Sequence, residues 1–483
     1  MTGGQREFFR RIKQAIISNP FGQERTLVDR ELAGVAGDQP ADSEVLEQLL
    51  SKVSKLLTDI KKERRNGKLD LDADDLQLFK YGVVFDLFHR YCPAFDSLIS
   101  EQIDKGEVSC RVSFARDIVG ELIDADFSES DSMRILALFF QMRRAFFFIS
   151  SISGESDCVQ ELRKSLWNNI FTENLELYES YLWNRMEDFS TMLLGETGTG
   201  KGLAASAIGR SGFIPFDEKK QCFKESFVKT FISINLSQFP EQLIESELFG
   251  HKKGAFTGAI DSHQGIFSRC SPCGAIFIDE IGEVPIPVQI KLLQVLQERE
   301  FTPVGSHLKE KFQGRVIGAT NQPLTELRKK KRFREDFYYR LCSDVIEVPS
   351  LRQRVREHAA EITILLSFII EQIVGRQSPE LVEKIGQLIV EQQPDHYRWP
   401  GNIRELEQCV RQILLNGVYN WQQIDDPEHS ELAERIEQGT LSANQLLITY
   451  CSRLYAQLGT YEAVAKVTQL DRRTVKKYIV HSG

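Results

Sequence analysis

Residues 191–209 read TMLLGETGTGKGLAASAIG, in which an apolar segment, a glycine-rich turn and a helix-like run follow one another directly. Glycines allow backbone amides to close around a polyphosphate, and the amino end of the following helix adds positive potential. A lysine ends the turn, where its side chain can reach the terminal phosphates. The stretch predicts a strand, a phosphate-binding loop and a helix, with nucleotide contacts from Gly195, Glu196, Thr197, Gly198, Thr199, Gly200, Lys201 and Gly202.

One position in this loop departs from the general pattern. Gly202 stands where such loops usually carry Ser or Thr, whose hydroxyl binds Mg²⁺. The departure leaves two interpretations open. The protein is either an ATPase or a nucleotide-responsive regulator that binds ATP without hydrolysing it.

Four apolar runs, each followed by polar residues, predict an α/β domain with a largely parallel sheet. They are Thr191–Leu194, Thr230–Ile234, Ala275–Ile278 and Arg315–Ala319. In open parallel sheets, functional groups gather at the carboxyl ends of the strands. We therefore expect the polar groups that follow these four runs to meet in one site.

The third of these runs continues into two carboxylates, in the sequence AIFIDE at residues 275–280. Asp279 can hold Mg²⁺ directly or through water, and Glu280 can orient and polarise an attacking water molecule. Alone, such a pair would more often begin a helix. Together with the phosphate-binding loop, it predicts a nucleotide-hydrolysing site.

Length and composition set the limits of these interpretations. The 483 residues suggest about three domains, and 42% hydrophobic with 27% charged residues is ordinary for globular proteins. A net charge of −9 excludes a chain that coats nucleic acid by bulk charge, so any DNA contact needs a local patch. We find neither an export signal nor an apolar run of roughly 18–20 residues, and expect a cytoplasmic protein with no membrane partner.

Residues 1–155 predict mostly helix but no chemistry. Apolar residues recur at three- and four-residue steps over 44–61, the pattern of one helix face. A second helix is expected to start after Ser130 or Asp131, whose side chains can cap it. A sensor that controls assembly and a scaffold both remain possible for this region.

Six motifs, which occur in this order along the chain, give it a resemblance to a known family: GETGTGKG, GAFTGA, IDEIGE, GATN, FREDFYYRL and WPGNIRELE. Over about residues 190–415 the chain resembles the AAA+ domain of sigma-54-dependent transcriptional activators, also called bacterial enhancer-binding proteins. The resemblance implies a multidomain fold. Its parts would be a mostly α N-terminal region (1–155), an α/β AAA+ P-loop ATPase core (156–348), a helical lid (349–425) and an α helix-turn-helix at the C-terminus (440–483).

The resemblance also implies roles within the ATP site. Lys201 would hold the phosphates, Asp279 the metal and Glu280 the water. Asn235 would restrain Glu280 and link hydrolysis to movement. Thr320 and Asn321 would sense the γ-phosphate, and Arg404 would be the sensor residue of the lid.

Two further arginines, Arg334 and Arg340 in FREDFYYRL, would serve as arginine fingers for the nucleotide of a neighbouring subunit in a hexameric ring. A fixed guanidinium stabilises the charge that spreads over a transferring phosphoryl group. The alternative for these two residues is a surface salt bridge with Glu335 or Asp336.

The GAFTGA segment has a physical interpretation of its own. Flanking glycines permit a tight, mobile tip, and an exposed aromatic on such a tip is costly unless it meets a partner. The resemblance implies that this partner is sigma-54 bound to RNA polymerase. The contacts would come from Gly254, Ala255, Phe256, Thr257, Gly258 and Ala259, and a buried Phe in an ordinary hairpin is the alternative.

The last residues predict a DNA-binding helix. Residues 440–483 contain six Lys or Arg against two Asp or Glu, and Asp471 can cap a helix that fits a major groove. The module resembles the helix-turn-helix of the factor-for-inversion type. DNA contacts are assigned to Arg472, Arg473, Thr474, Lys476 and Lys477.

Taken together, the residues and the resemblance predict an enhancer-bound ATPase that uses ATP and Mg²⁺ to remodel the sigma-54 RNA polymerase holoenzyme. An AAA+ ATPase with another client, and a DNA-binding regulator without ATP turnover, are the alternatives.

Overall fold

The computed structural model describes residues 1–35, 42–394, 397–421, 439 and 441–480. Two compact units divide the chain, Met1–Tyr419 and Asn420–Gly483. The domain boundary predicted at residue 155 falls inside the first unit. The boundary predicted between 425 and 440 lies outside the described residues, except for residue 439.

Helices make up the first part of the chain, as predicted. Their bounds are α1 Gly3–Ile17, α2 Gln23–Ala33, α3 Asp42–Arg65, α4 Ala73–Lys105, α5 Ala115–Ile123 and α6 Glu129–Ser150. The periodic apolar residues of α3 are buried, because their three- and four-residue spacing places them on one face, namely Val45, Leu49, Val53, Leu57 and Ile60.

Helix α6 begins earlier than the sequence predicted. Ser128 caps it, since its hydroxyl accepts a hydrogen bond from the amide of Asp131 at 3.1 Å. The predicted caps, Ser130 and Asp131, lie inside the first turn. Ser128, Ser130 and Asp131 all have side chains that can cap a helix, and only the backbone conformation selects among them.

The core of the first unit is a five-stranded parallel sheet with the order β4-β5-β8-β1-β9. Its strands are β1 Thr191–Leu194, β4 Phe231–Asn235, β5 Ala275–Asp279, β8 Arg315–Thr320 and β9 Asp344–Glu347. The four predicted strands are confirmed to within one residue at each end. The edge strand β9 was not predicted, because only Ile346 of its four residues is buried.

Alternate residues of the strands face two different hydrophobic layers. Leu193 of β1 packs into one layer with helices α6, α7 (Asp157–Phe171) and α9 (Lys201–Gly209). Met192, its neighbour in sequence, packs into the other layer. The helices that contribute to that second layer include α10 Glu241–Phe249, α11 Ile266–Arg269, α12 Ile286–Glu298, α13 Leu324–Lys329 and α14 Glu335–Leu341.

Small elements complete this unit. A short turn, α8 (Leu175–Leu177), follows α7. Two antiparallel hairpins project from the core, β2 Phe216–Asp217 with β3 Cys222–Phe223, and β6 Glu300–Phe301 with β7 Glu310–Lys311.

Four helices follow the sheet in sequence: α15 Leu351–Glu357, α16 Glu361–Val374, α17 Pro379–Gln392 and α18 Asn402–Asn416.

The second unit contains three helices in its described part, α19 Ala443–Leu458, α20 Tyr461–Thr468 and α21 Arg472–Val480. They pack around the buried residues Cys451, Val464 and Val475, one from each helix. Within the described part of the chain, no helix combines the length and the apolar composition needed to cross a bilayer.

Candidate nucleotide-binding site

The glycine-rich loop between β1 and α9 has the backbone of an anion-binding turn. Gly198 and Gly200 have φ angles of 82° and 101°, a region that favours glycine. Lys201 begins α9, and its Nζ donates to the carbonyl oxygens of Gly195 at 2.8 Å and Glu196 at 3.1 Å. Burial lowers the pKa of Lys201, while Glu280 and Asp279 act to raise it. The lysine therefore lies close to both carboxylates, as predicted.

Those two carboxylates stand at the carboxyl end of β5, beside the end of β4. Asn235 and Asp279 are paired in the sheet register, and the Asn235 side-chain amide donates to Asp279 Oδ2 at 3.3 Å. The sequence predicted that Asn235 restrains Glu280; in this structure it contacts Asp279 instead. Register explains the difference, since the residue directly opposite Asn235 is Asp279.

Glu280 has an unusual backbone and an unusual environment. Its φ angle of 55° places it in the left-handed region. Burial raises the pKa of its carboxyl group. Its Oε2 accepts from the backbone amide of Asn321 at 3.4 Å. A carboxylate held next to a phosphate-binding loop with a raised pKa is a candidate proton acceptor.

The residues at the end of β8 differ in their contacts, since Asn321 bonds to the glycine-rich loop and Thr320 bonds to its own turn. The Asn321 side-chain amide donates to Thr197 Oγ1 at 3.0 Å. Thr320 is buried, and its Oγ1 accepts from the amide of Gln322 at 3.1 Å. Of the two sensor residues considered from the sequence, only Asn321 makes a hydrogen bond to the glycine-rich loop.

The start of α18 closes over the glycine-rich loop. The amide of Ile403 donates to the Gly198 carbonyl oxygen at 3.0 Å, and Asn402 Nδ2 donates to the Thr197 carbonyl oxygen at 3.1 Å. A Cβ atom on Gly198 would collide with the Gly401 carbonyl oxygen. Glycine is thus required here both for its φ angle and for the close approach of α18.

A cavity of about 490 Å³ joins these elements. Its polar wall includes Lys201, Asn235, Asp279, Glu280 and Arg404. Its apolar wall includes side chains from the segment before α7, from α7 itself and from the helices after the sheet, namely Ile152, Leu162, Leu365, Phe368 and Ile403. A pocket lined by both polar and apolar side chains suits a nucleotide, whose phosphates need polar partners and whose base needs apolar ones.

Sequence reasoning missed the contribution of residues 151–153 to this cavity. The segment is held by a buried ion pair, in which Arg354 Nη2 lies 2.6 Å from Glu361 Oε2. Arg354 also donates to the Ser153 carbonyl oxygen at 2.6 Å, and Glu361 accepts from the amide of Ser156 at 2.7 Å. Because these partners lie about 200 residues apart in sequence, no local pattern could reveal them.

Arg334 and Arg340 do not line this cavity. Arg334 caps α14 and pairs with Asp336, with Nη2 and Oδ2 2.7 Å apart. Arg340 lies in the last turn of α14, and its Nε donates to the Leu296 carbonyl oxygen at 3.1 Å. Within a single chain the salt bridge considered for Arg334 is therefore present. The role of both arginines toward a neighbouring subunit stays a prediction.

The loop at residues 254–259 forms a tight turn on the surface. The amide of Gly254 donates to the Ala259 carbonyl oxygen at 2.8 Å. The Phe256 side chain is 38% exposed and lies edge-on against the His251 ring, with centroids 4.9 Å apart. The alternative of a buried Phe is therefore wrong for this structure.

This loop rests on the hairpin formed by β6 and β7. The amide of Lys252 donates to the Val304 carbonyl oxygen at 3.0 Å. A Cβ atom on Gly305 would lie 2.7 Å from the Ala255 Cβ atom. The two segments are therefore in close contact, and Gly305 leaves no room for a side chain between them.

In the second unit, the predicted DNA-binding residues lie on the outer face of α21. Asp471 Oδ1 accepts from the amide of Arg473 at 2.8 Å, which is the predicted cap. Val475 is fully buried. The basic side chains of Arg472, Arg473, Lys476 and Lys477 are exposed, and Thr474 is half-buried.

The strand order, the phosphate-binding loop between β1 and α9, and the carboxylates at the end of β5 define the class: the chain contains an AAA+ domain built on a parallel α/β sheet. Comparison with known proteins shows which family within this class the domain resembles. The Sigma-54 interaction domain family matches residues 172–347.

Curated relatives extend this match. The chain is 37% identical over 279 residues to the sigma-54-dependent transcriptional activator SfnR of Pseudomonas putida, covering 56% of this chain and 69% of SfnR. It is 39% identical over 248 residues to the DNA-binding transcriptional regulator NtrC of Azospirillum brasilense, covering 51% of this chain and 47% of NtrC. The chain belongs to the family of sigma-54-dependent transcriptional regulators.

The extent of these matches is limited. The chain spans about half the length of the curated relatives NtrC and GlrR that it matches. Among solved structures, the crystal structure of NtrX from Brucella abortus aligns with a TM-score of 0.40 at 18% identity, covering 75% of this chain and 79% of that one.

Proposed function

We propose that this protein is a sigma-54-dependent activator that hydrolyses ATP to remodel the closed complex of the sigma-54 RNA polymerase holoenzyme while bound to enhancer DNA. One observation carries the proposal. Lys201, Asp279, Glu280 and Asn321 all lie at one glycine-rich loop, in a domain that also presents the GAFTGA turn at its surface.

In this proposal the chain's own groups bind and orient ATP. Lys201 exchanges its bonds to loop carbonyls for bonds to phosphate oxygens, and the loop amides do the same. Glu280 holds the attacking water and accepts its proton, which its position and raised pKa support. Asn321, already bonded to Thr197, lies where it can contact the γ-phosphate.

The residues present fit a magnesium ion. Carboxylate oxygens are hard ligands of the kind that Mg²⁺ prefers, and Asp279 provides them at the cavity wall. No group of three or more His, Cys, Asp or Glu in the described residues could hold a metal alone, so Asp279 would act with water and phosphate oxygens. Bound there, Mg²⁺ would neutralise phosphate charge.

Ring assembly would complete the site. Arg334 and Arg340 lie outside their own cavity, which supports a role toward the nucleotide of the next subunit in a hexameric ring. To act there, Arg334 would have to leave Asp336, and the guanidinium would then stabilise charge on the transferring phosphoryl group.

The output of hydrolysis would be movement of the turn at 254–259 against sigma-54. Its half-exposed Phe256 and its glycines support such a contact. The exposed basic face of α21, in a helix-turn-helix formed with α20, would hold the protein on DNA by contacts to phosphates and base edges.

Transcription in vitro from a sigma-54 promoter tests this proposal. With the holoenzyme and purified activator, we expect open complexes and transcript with ATP, and neither with a non-hydrolysable analogue. Thr257→Ala should hydrolyse ATP yet yield no transcript. ATP turnover without any effect on sigma-54 would favour another client, and ATP binding without turnover would favour a non-enzymatic regulator.

A further inference from the structure

Helix α6 of the N-terminal region reaches the carboxyl end of α9, the helix that begins with Lys201. Arg144 donates from Nη1 to the Arg210 carbonyl oxygen at 2.5 Å and from Nη2 to the Gly212 carbonyl oxygen at 2.7 Å. Gln141, one turn earlier, donates from Nε2 to the Ser211 carbonyl oxygen at 2.9 Å. Two side chains of α6 thus bond three consecutive carbonyl groups that follow α9.

Arg144 is an unusual residue in this position. It is 0% exposed, and its guanidinium donates to backbone carbonyls rather than to a carboxylate. Its guanidinium lies over the rings of Phe140 and Phe227, 4.6 Å and 5.6 Å from their centroids. A buried cation is costly unless its environment compensates. Here the compensation comes from the rings and from carbonyls at the negative end of a helix.

A second hydrogen bond holds the side chain of Gln141. Tyr178, also fully buried, donates its hydroxyl to Gln141 Oε1 at 2.9 Å. The amide of Gln141 therefore has both its oxygen and its nitrogen engaged. Buried hydrogen-bond networks of this kind fix side chains in one arrangement.

A second contact fixes α6 relative to the core. Phe140 stacks on Phe223 of the β2–β3 hairpin, with centroids 4.1 Å apart and planes inclined by 14°. Helix α6 is thus anchored on the core at two separate places.

These contacts act on a short, stiff element. A nine-residue helix is about 13 Å long, so the placement of its carboxyl end also sets the direction of its amino end. That amino end supplies Lys201 and loop amides to the candidate site. We propose that Arg144 and Gln141 are positioning residues for the phosphate-binding loop, so that the N-terminal region is a structural part of the nucleotide site. This inference rests on the proposed function of that site.

The test compares two adjacent arginines of α6 in the full-length chain. Arg144→Met removes the bonds to the end of α9. Arg143→Met is the matched control, because Arg143 pairs instead with Asp96 of the N-terminal region at 2.6 Å. Hydrogen exchange of the amides at 201–212 is measured without nucleotide, and Kd and KM for ATP and kcat are measured alongside.

We expect Arg144→Met to increase the hydrogen-exchange rate of the amides at 201–212 by a factor at least ten times larger than for amides in the rest of the sheet domain. The variant should also bind ATP about tenfold more weakly, with a smaller change in kcat. Arg144→Lys should recover part of both effects, and Arg143→Met should show neither. Uniformly faster exchange with unchanged Kd and KM would mean a merely structural role and would overturn the inference.

Two further outcomes are decisive. If Arg144→Met does not fold, Gln141→Leu takes its place, and local exchange at 201–212 identical to that of the unmodified chain would refute the inference. If the unmodified chain does not turn over ATP, the proposed function fails. The exchange comparison, which needs no nucleotide, then decides the inference by itself.

Discussion

Glu280 carries two energetic costs at once. A non-glycine residue in the left-handed region costs on the order of 1 kcal/mol. The pKa of its carboxyl group is also raised by burial above the ordinary value of 4.5. The folded protein therefore binds this proton more tightly than the unfolded chain does. The contribution of Glu280 to stability falls as the pH rises through that raised pKa.

These costs make Glu280→Gln an informative change. We expect the variant to bind ATP but to lose about 10²- to 10⁴-fold in turnover, since it removes the proton acceptor. Its melting temperature at neutral pH should equal or exceed that of the unmodified protein, because an unfavourable buried charge is gone. The matched control is Glu283→Gln, an exposed residue three positions on. Near-normal turnover in Glu280→Gln would contradict the assigned role.

The pH dependence of turnover provides a second check on this residue. Protonated Glu280 cannot accept a proton, so kcat should rise with pH through a midpoint above 4.5. The residual activity of Glu280→Gln should lack that midpoint. An identical pH profile in both proteins would assign the titration to another group.

Gly202 offers a test of the missing hydroxyl. A Cβ atom there would have its nearest neighbour, Phe277 Cε1, 4.0 Å away, so a side chain fits. We expect Gly202→Ser to lower the Mg²⁺ concentration that half-saturates ATP turnover, since it adds a ligand hydroxyl. Gly202→Ala controls for the helix stabilisation of roughly 0.5–1 kcal/mol that any Cβ brings. Equal Mg²⁺ dependence in the two variants would show that the hydroxyl has no part.

Residues in continuous motifs could be placed from the sequence, and those that act through distant partners could not. Lys201, Asp279 and Asn321 follow directly from strand ends that a parallel sheet must bring together. Whether Asn235 faces Asp279 or Glu280 depends on the register between β4 and β5, which no motif specifies to within one residue. Arg144 looked like part of an ordinary aromatic helix, because its partners lie 66 and 68 residues away.

At the scale of elements, how well a strand or helix could be predicted from the sequence depended on how it is buried. The central strands β1, β5 and β8 are mostly apolar and almost wholly buried because both faces are covered, and the sequence predicted them. Helix α4 is one helix of 33 residues, and its bounds were not predicted. It is buried on several sides, so its apolar residues do not follow one stripe.

The contact between the GAFTGA turn and the β6–β7 hairpin gives a prediction about an element. Gly305→Val should push Ala255, and with it the GAFTGA turn, away from the hairpin, since the new Cβ atom would lie 2.7 Å from the Ala255 Cβ atom. We expect a loss of transcript in the sigma-54 assay of at least tenfold, with ATP turnover within about twofold of normal. Gly375→Val is the control, because it has a similar φ angle of 76° with open space around it. Equal transcript from both variants would contradict this link.

At the scale of the molecule, the N-terminal helices and the ATPase sheet share one hydrophobic core. A single cluster of buried side chains extends from Phe9 of α1 through Phe140 of α6 to Leu193 and Phe277 of the sheet. The sequence predicted a mostly helical N-terminal region at 1–155 as a domain of its own, because no motif links its helices to the core. Complementary apolar surfaces leave the same pattern as any amphipathic helix, whatever they pack against.

The second unit gives a prediction for the whole chain. Arg472→Ala with Arg473→Ala should weaken DNA binding and reduce its salt dependence, since each lost phosphate contact lowers the slope of log K against log salt by about one. ATP turnover should be unchanged. Lys466→Ala, an exposed residue of α20, controls for the loss of surface charge. Equal DNA affinity in the double variant and the control would argue against α21 as the recognition helix.

The bonds from Arg144 to the end of α9 also restrict how this protein can diversify. A sensor attached by a linker can be exchanged for another by recombination, because nothing in the recipient depends on its shape. Here an exchange of the first 150 residues would leave three carbonyl groups without donors and one side of a sheet open to water. New specificities in this region must therefore arise by gradual substitution, with facing side chains changing in concert.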